Sequence, residues 1–210
     1  MADAYKVLSS LDIHKAIGPD AISPRILKEC AAELAPSISQ LFNFLLDHGR
    51  LPSVWKSANV IPIHKSGERT LAENYRPGSL TSILVKCLER IIHKHIMKFL
   101  THHGLLSESQ HSFREARSCV TQLFQLLHSW YSSLEKGDSV GVIFLDFAKA
   151  FDKVSHHHLL YKLQCYGIRG HLFSWFHDYL SDRKQRVIIG GHSSEWMEYI
   201  RATSFRAVYK

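Results

Sequence analysis

The stretch that most constrains the fold runs from Gly141 to Asp152, reading G-V-I-F-L-D-F-A-K-A-F-D. Val140 to Leu145 is apolar except for Gly141, follows the turn signal Lys136-Gly137-Asp138, and delivers a carboxylate, Asp146, at its end. A short apolar run rich in β-branched and aromatic residues behind a turn reads as a strand buried on both faces. A carboxylate at the end of such a strand stands at a sheet rim, where ligands and metals reach it. The same Asp also serves simply to cap the following turn, so the strand and its Asp leave both roles open.

The flanking segments supply helices and further strands. From Pro24 to Leu34 the residues Ile26, Leu27, Cys30, Ala31 and Leu34 recur at helical spacing. Pro36 is expected to open a second helix with Ile38, Leu41, Phe42, Leu45 and Leu46 on one face and Gly49 as its stop, the two packing as an α-hairpin. Ser57 to His64 reads as a strand that ends at Lys65-Ser66-Gly67-Glu68, and Pro77 holds Arg76 extended. Thr81 or Ser82 caps a helix to Leu100, and Ser118 caps another to about Leu134. Ser155 caps a helix carrying His156, His157 and His158. Consecutive residues point about 100° apart on a helix, so these three cannot share one metal. An aromatic helix from Leu172 to Leu180 precedes a β-hairpin of Gln185 to Ile189 and Glu195 to Ile200 around the turn Gly190-Gly191-His192-Ser193.

The net charge of +7, before counting 15 His, favours an anionic partner such as nucleic acid. Cys30, Cys87, Cys119 and Cys165 lie far apart with no C-x-x-C, which fits reduced, partly buried core residues and not a disulfide frame or zinc site. With no signal-peptide core and no apolar span of membrane length, the sequence reads as soluble and intracellular, with no membrane partner. No compact basic cluster selects nucleus over cytoplasm.

Seven stretches in order carry a family resemblance: Lys15 to Asp20; Gly49-Arg50-Leu51-Pro52 with Trp55-Lys56; Ile61 to Lys65; Asn74-Tyr75-Arg76-Pro77 with Ser79-Leu80; Gln110 with Phe113-Arg114; Phe144-Leu145-Asp146-Phe147 with Lys149 to Asp152; and Tyr179-Leu180 with Arg183 and Gln185. In these the chain resembles the reverse transcriptase of non-long-terminal-repeat, LINE-type retrotransposons. The resemblance implies an α+β fold, the helix-rich fingers and incomplete palm of a right-hand polymerase. It divides the chain into an N-terminal helical segment (1–48), a partial reverse transcriptase domain (49–200) and a divergent tail (201–210).

The resemblance also implies roles. Asp146 would be the catalytic carboxylate and, with the backbone carbonyl of Phe147, would hold Mg²⁺ or Mn²⁺. Lys65 and Arg76 would grip a deoxynucleoside triphosphate, and Phe147 and Phe151 would lie against it, Phe151 as the aromatic gate that crowds a ribose 2′-hydroxyl. Asp152 would be structural. The implied partners are an RNA template, an RNA–DNA duplex and deoxynucleoside triphosphates.

Three departures stand beside these matches. Ser112 occupies a position where the family usually has Gly, and Gly78 one where it is usually apolar. The Gly-Val-Pro-Gln-Gly and Tyr-Ala-Asp-Asp segments of the family do not occur. A two-metal site needs several carboxylates, so Asp146 by itself would hold Mg²⁺ weakly. The chain alone is therefore not expected to polymerise, and binding of RNA or an RNA–DNA duplex without chemistry is the alternative. An unpaired apolar palm strand at Val140 to Phe147 would also favour self-association.

Overall fold

The computed structural model describes residues 1–147, 150 and 153–198. The chain is α+β. Helices α1 (Ala2–Ser9), α2 (Pro24–Glu29) and α3 (Ala31–His48) precede strands β1 (Ser57–His64) and β2 (Tyr75–Leu80). Then come α4 (Ile83–His102), α5 (Cys119–Glu135), α6 (His156–Cys165) and α7 (Gly170–Leu180). Strands β3 (Lys184–Ile189), β4 (His192–Ser193) and β5 (Met197–Glu198) complete a mixed sheet.

One hydrophobic core joins the helices, with Leu8 of α1, Val85 and Leu88 of α4, and Trp175 and Tyr179 of α7 almost fully buried. Buried residues occupy most sides of the first turns of α4, so this helix is covered all round there and not only along one stripe. Its start is fixed by Ser82, whose hydroxyl accepts from the Val85 N–H. Gly18 lies against that start: a Cβ on it would sit 2.6 Å from the Thr81 carbonyl group, so the turn can approach only as glycine.

Two expectations for the N-terminal helices need correction. Pro36 lies inside α3 instead of opening it, and Cys30 alone separates α2 from α3, too little for a hairpin turn. The reason is the stripe Ala31, Ala35, Ile38, Phe42 and Leu45, all buried, which runs unbroken across Pro36. An interior proline costs about 3 kcal/mol, whereas burying each large apolar side chain recovers about 1.5–3 kcal/mol. Gly49 ends α3 as expected, in the left-handed region at φ +61°, and a Cβ there would come within 2.7 Å of Ser174 Cβ on α7.

The sheet runs β2-β1-β3-β4, with β5 also on β3. β1 pairs antiparallel with β2 and parallel with β3, opposing Asn59 to Leu80 on one side and to Arg186 on the other. Gly190 and Gly191, both at positive φ, make the two-residue turn between β3 and β4. His192 and Ser193, expected in the turn, form β4 instead, and of the expected strand from Glu195 the described residues pair only at Met197–Glu198, β5. Between β4 and β5 the register on β3 slips by one residue, the mark of a bulge, and the Ser194 hydroxyl accepts from the Val187 N–H there.

The segment expected to be the central strand is not a strand. Residues 139–147 are irregular, and Ile143, Phe144 and Leu145 are each about 85 % exposed. A strand exists only through its neighbours' hydrogen bonds, whatever its intrinsic preference. Here β1 is paired on both sides and the far edge of β3 is taken by β4 and β5; the outer edge of β2 stays open, but no described pairing joins this run to it. The helix α5 does form, its Ser118–Thr121 capping box in place, yet its apolar Val120, Leu123 and Leu126 are exposed among the described residues.

What seats β3 beside β1 is a polar clasp on α7. Asp178 accepts from the Lys56 ammonium and from the Leu51 N–H, both at 2.8 Å, and Lys56 is buried. Removing the carboxylate leaves a buried cation and a backbone donor unmatched. Asp178→Ala should therefore lower unfolding free energy by about 2–4 kcal/mol in urea titrations. Lys94→Ala, which breaks an exposed pair to Asp3, should cost less than about 1 kcal/mol. Equal losses in the two variants would contradict this.

Candidate functional site

The hairpin of β1 and β2 brings two of the expected ligand residues together. Ile63 opposes Arg76, and the ladder continues one step further through a 2.8 Å hydrogen bond from the Lys65 N–H to the Asn74 carbonyl. Alternation then puts Lys65 two positions beyond Ile63 on the same face as Arg76, diagonally adjacent to it. Both side chains are exposed.

The loop that follows Lys65 is held by the residues of the neighbouring motif. The Asn74 amide donates to the Glu68 carbonyl at 2.8 Å, and the Tyr75 hydroxyl donates to the Arg69 carbonyl at 2.9 Å. His64 contacts the Gly67 carbonyl at 3.0 Å from its other side. Asn74 and Tyr75 are thus the clasp of a turn whose mouth carries Lys65, with Arg76 presented from the adjoining strand. Gly78 also has a physical account, since a Cβ there would meet Ile63 Cδ1 at 2.7 Å and Ile61 Cγ1 at 3.2 Å. The apolar volume at this point of the sheet is supplied by the opposite strand.

The same sheet face continues onto β3. Lys184 and Arg186 share the parity of Asn59, Ile61 and Arg76. Arg186 donates to Asn59 Oδ1 at 2.9 Å and its guanidinium lies 4.6 Å from the Trp196 ring centre. Glu198, opposite Lys184, offsets part of that charge. One sheet face therefore carries the exposed Lys65 and Arg76 and the half-buried Arg186 beside apolar Ile61 and Ile63, a set of cations suited to a polyanion.

Asp146 and Phe147 stand apart from this face in secondary structure. Both lie in the irregular segment, where Phe147 is exposed, and Asp146 has no hydrogen bond or ion pair among the described residues. Phe151, with Lys149 and Asp152, falls outside the described residues. No group of three His, Cys, Asp or Glu gathers as a metal site among the described residues. A hard divalent cation takes six or more oxygens, so Asp146 with one neighbouring carbonyl does not make a centre for it. No helix among the described residues is long and apolar enough to cross a membrane.

Three residues that pattern reading left as surface or motif positions prove to be buried and linked. The Tyr179 hydroxyl donates to Glu89 Oε1 at 2.5 Å, and Arg183 donates to the Tyr179 carbonyl at 2.9 Å with its guanidinium 4.7 Å from the Tyr179 ring centre. Glu89 lies at the i−3 position from Ile92 and the i+4 position from Val85, a core-facing slot that its charge disguises. Burial pushes its carboxyl up to about 7, against the Tyr179 hydrogen bond and the cations Arg183, Lys86 and Arg90, which pull it down. In the Gln110–Arg117 loop, Arg114 donates to the Ser107 carbonyl at 2.7 Å. Positive φ falls on Phe113 and Ala116, and Ser112 makes no such demand for glycine.

Comparison with known proteins places these observations. Residues 63–204 match the family described as reverse transcriptase (RNA-dependent DNA polymerase). The chain is 29% identical over 195 residues to the RNA-directed DNA polymerase from mobile element jockey of Drosophila melanogaster, covering 92% of this chain and 21% of that protein. The corresponding jockey polymerase of Drosophila funebris is 30% identical over 203 residues, with 96% and 22% covered. The probable RNA-directed DNA polymerase from transposon X-element of Drosophila melanogaster is 31% identical over 153 residues, with 72% and 17% covered. The chain thus spans about a fifth of the length of the curated relatives it matches.

The Glu89 carboxyl makes a measurable prediction. Its folded value near 7 exceeds the ordinary 4.5, so the folded state holds the proton more tightly than the unfolded chain. The stability this contributes is complete below about pH 4.5 and is lost as pH rises through about 7. Burial holds His93 and His156 below their ordinary value, and they act in the opposite sense. The wild type minus Glu89→Gln difference isolates the carboxyl. That difference should fall by on the order of 3 kcal/mol between about pH 4.5 and 8 in denaturant titrations. A difference that stays flat would contradict the burial argument.

Proposed function

Because the chain belongs to the reverse transcriptase family, related to the polymerases of non-long-terminal-repeat retrotransposons, we propose that it is the fingers and first palm segment of an RNA-directed DNA polymerase. Residues 49–200 carry the polymerase-related part, with residues 1–48 as its helical buttress. The basic sheet face is its grip on nucleic acid and triphosphate. The observation that carries this reading is the β1–β2 hairpin, whose pairing sets Lys65 and Arg76 side by side on one exposed face. Two cations so close suit the successive phosphates of a deoxynucleoside triphosphate, with the planar guanidinium able to fork onto one of them.

In the same reading Asp146 contributes one carboxylate, and the Phe147 carbonyl one oxygen, to a Mg²⁺ or Mn²⁺ site whose remaining ligands are not among the described residues. Phe147 and Phe151 would border the nucleotide. The sequence contains no Tyr-Ala-Asp-Asp, which supports a chain that does not polymerise unaided. Binding of RNA or an RNA–DNA duplex without chemistry is the second reading, favoured by one feature: the cationic face is built from β1, β2 and β3 and owes nothing to the Asp146 segment.

Two assays test these readings. Purified chain with a primed RNA template and Mg²⁺ or Mn²⁺ should give no extension, and wild type should be as inert as Asp146→Ala. Extension that Asp146→Ala abolishes would overturn the inactivity of the isolated chain. In equilibrium binding to single-stranded RNA, the double variant Lys65→Ala/Arg76→Ala should lose about tenfold in affinity. The slope of log affinity against log salt should shrink by about 1.4, the counterions of two phosphates. Unchanged affinity and slope would remove the hairpin from the binding surface.

A further inference from the structure

The sheet face that carries Lys65 and Arg76 ends, on its far side, in a tryptophan. β5 opposes Met197 to Gln185 and Glu198 to Lys184, and continuing that register by one step sets Trp196 across from Arg186. The two share a face with Ser57, Asn59 and Lys184. The Arg186 guanidinium lies 4.6 Å from the indole ring centre, and its Nε donates to Asn59 Oδ1 at 2.9 Å. The backbone ahead of Trp196 is pinned as well. The Ser194 N–H donates to the Val187 carbonyl at 2.9 Å, and the Ser194 hydroxyl donates to the Glu195 carbonyl at 3.0 Å. The indole is thus held through its backbone and over one ring face, yet Trp196 stays 43 % exposed. Tryptophans bury most of their large surface in the ordinary case. This one borders a hollow of about 540 Å³ whose other walls include Ser53, Ser57, Asp182 and Lys184.

We propose that Trp196 is a stacking platform for one unpaired base, so that this face takes a single-stranded nucleic acid in preference to a duplex; the inference rests on the reading of the face as a grip on nucleic acid. A base stacks on an aromatic ring through its own flat face, and that face is open only where the strand is unpaired. In a duplex the neighbouring base pairs cover it. Arg186 prepares the indole for such a contact: held by Asn59, it fixes the ring orientation in advance, so less is lost when a base is ordered there. Charge divides the face into two parts. Beside Trp196, Lys184 is offset by Glu198 opposite it and by Asp182 in the same hollow, and Lys56 is paired with Asp178. That near-neutral hollow suits a base, whose polar edge can meet the hydroxyls of Ser53 and Ser57. Further along, Arg76 stands opposite Ile63, four positions beyond the Asn59 that opposes Arg186, which is about 13 Å along β1. The two parts of one strand therefore find separate partners, the indole for a base and the exposed Arg76 and Lys65 for phosphates.

The test uses the 210-residue chain and equilibrium binding to a single-stranded RNA oligonucleotide and to the same strand annealed to its complement. Trp196→Ala should weaken binding of the single strand about tenfold, the loss of one base–aromatic stack, and binding of the duplex by less than about twofold. Trp196→Phe should stay within about threefold of wild type, whereas Trp196→Leu, apolar but without a ring face, should fall as far as Trp196→Ala. A stack releases no counterion, so the slope of log affinity against log salt should match wild type in all three, unlike Lys65→Ala/Arg76→Ala. A second readout uses the wild type itself, labelled with 5-fluorotryptophan: the ¹⁹F resonance of Trp196, assigned by its loss in whichever variant folds, should shift with the single strand and not with the duplex. Unchanged single-strand affinity in Trp196→Ala, with Lys65→Ala/Arg76→Ala weakened, overturns the platform and leaves the cationic grip standing. Equal losses for strand and duplex, a Trp196→Leu variant that binds like Trp196→Phe, or a ¹⁹F resonance that does not move also overturn it. A double variant that binds as tightly as wild type removes the grip, and the platform falls with it.

Discussion

The placement of β3 beside β1 is the constraint from which the sheet follows. These strands run parallel yet are separated by more than a hundred residues of chain, so no turn dictates their pairing, and the loop closure must be repaid by packing. The repayment is made at α7. Trp175, Phe176 and Tyr179 bury its inner face in the common core, and Asp178 on its other side is bound by Lys56 and the Leu51 N–H. Arg183, buried under Tyr179, fixes the exit from α7 into β3. With the C-terminal end of α7 held from two sides, Lys184 arrives opposite Ser57 and the register is set.

That register in turn makes the cationic face. Parallel pairing brings Arg186 to the side of β1 on which the hairpin presents Arg76 and Lys65, and Asn59 ties Arg186 in place. The motifs that carry the family resemblance therefore divide into two kinds. Lys56, Gly18, Tyr179 and Arg183 build and brace the frame. Lys65 and Arg76 are what the frame displays. Asn74 and Tyr75 belong to the first kind, although they stand next to Arg76, because their side chains hold the Lys65 loop.

Local signals were legible where the physics is local. The hydroxyl caps Ser82, Ser118 and Ser155, the glycine stop at Gly49, the strand Ser57–His64 and the Gly190-Gly191 turn all sit where residue chemistry put them. The failures share a different cause. The local habit of Pro36 points to a helix start, but a core stripe extending on both sides of it decides the helix. The composition of the run at Val140 predicts a strand, but strandhood depends on pairing with another strand, and no described pairing reaches this run. Glu89 was invisible because charge at a single helical position predicts exposure, and only the three-dimensional proximity of Tyr179 and Arg183 accounts for its burial. The diagonal neighbourhood of Lys65 and Arg76 follows from strand register, which neither motif contains by itself.

The structure thus separates a built, cationic sheet from an Asp146 segment that is not built into it. Amide hydrogen exchange resolved by peptide or residue tests this most directly. Amides of β1 and of β3 from Gln185 to Val187 should be protected by orders of magnitude, while those of residues 142–147 should exchange near the rate of an unstructured chain. Protection of residues 142–147 comparable to that of β1 would mean that the segment is paired as a strand after all, and the division between the sheet and the Asp146 segment would fall.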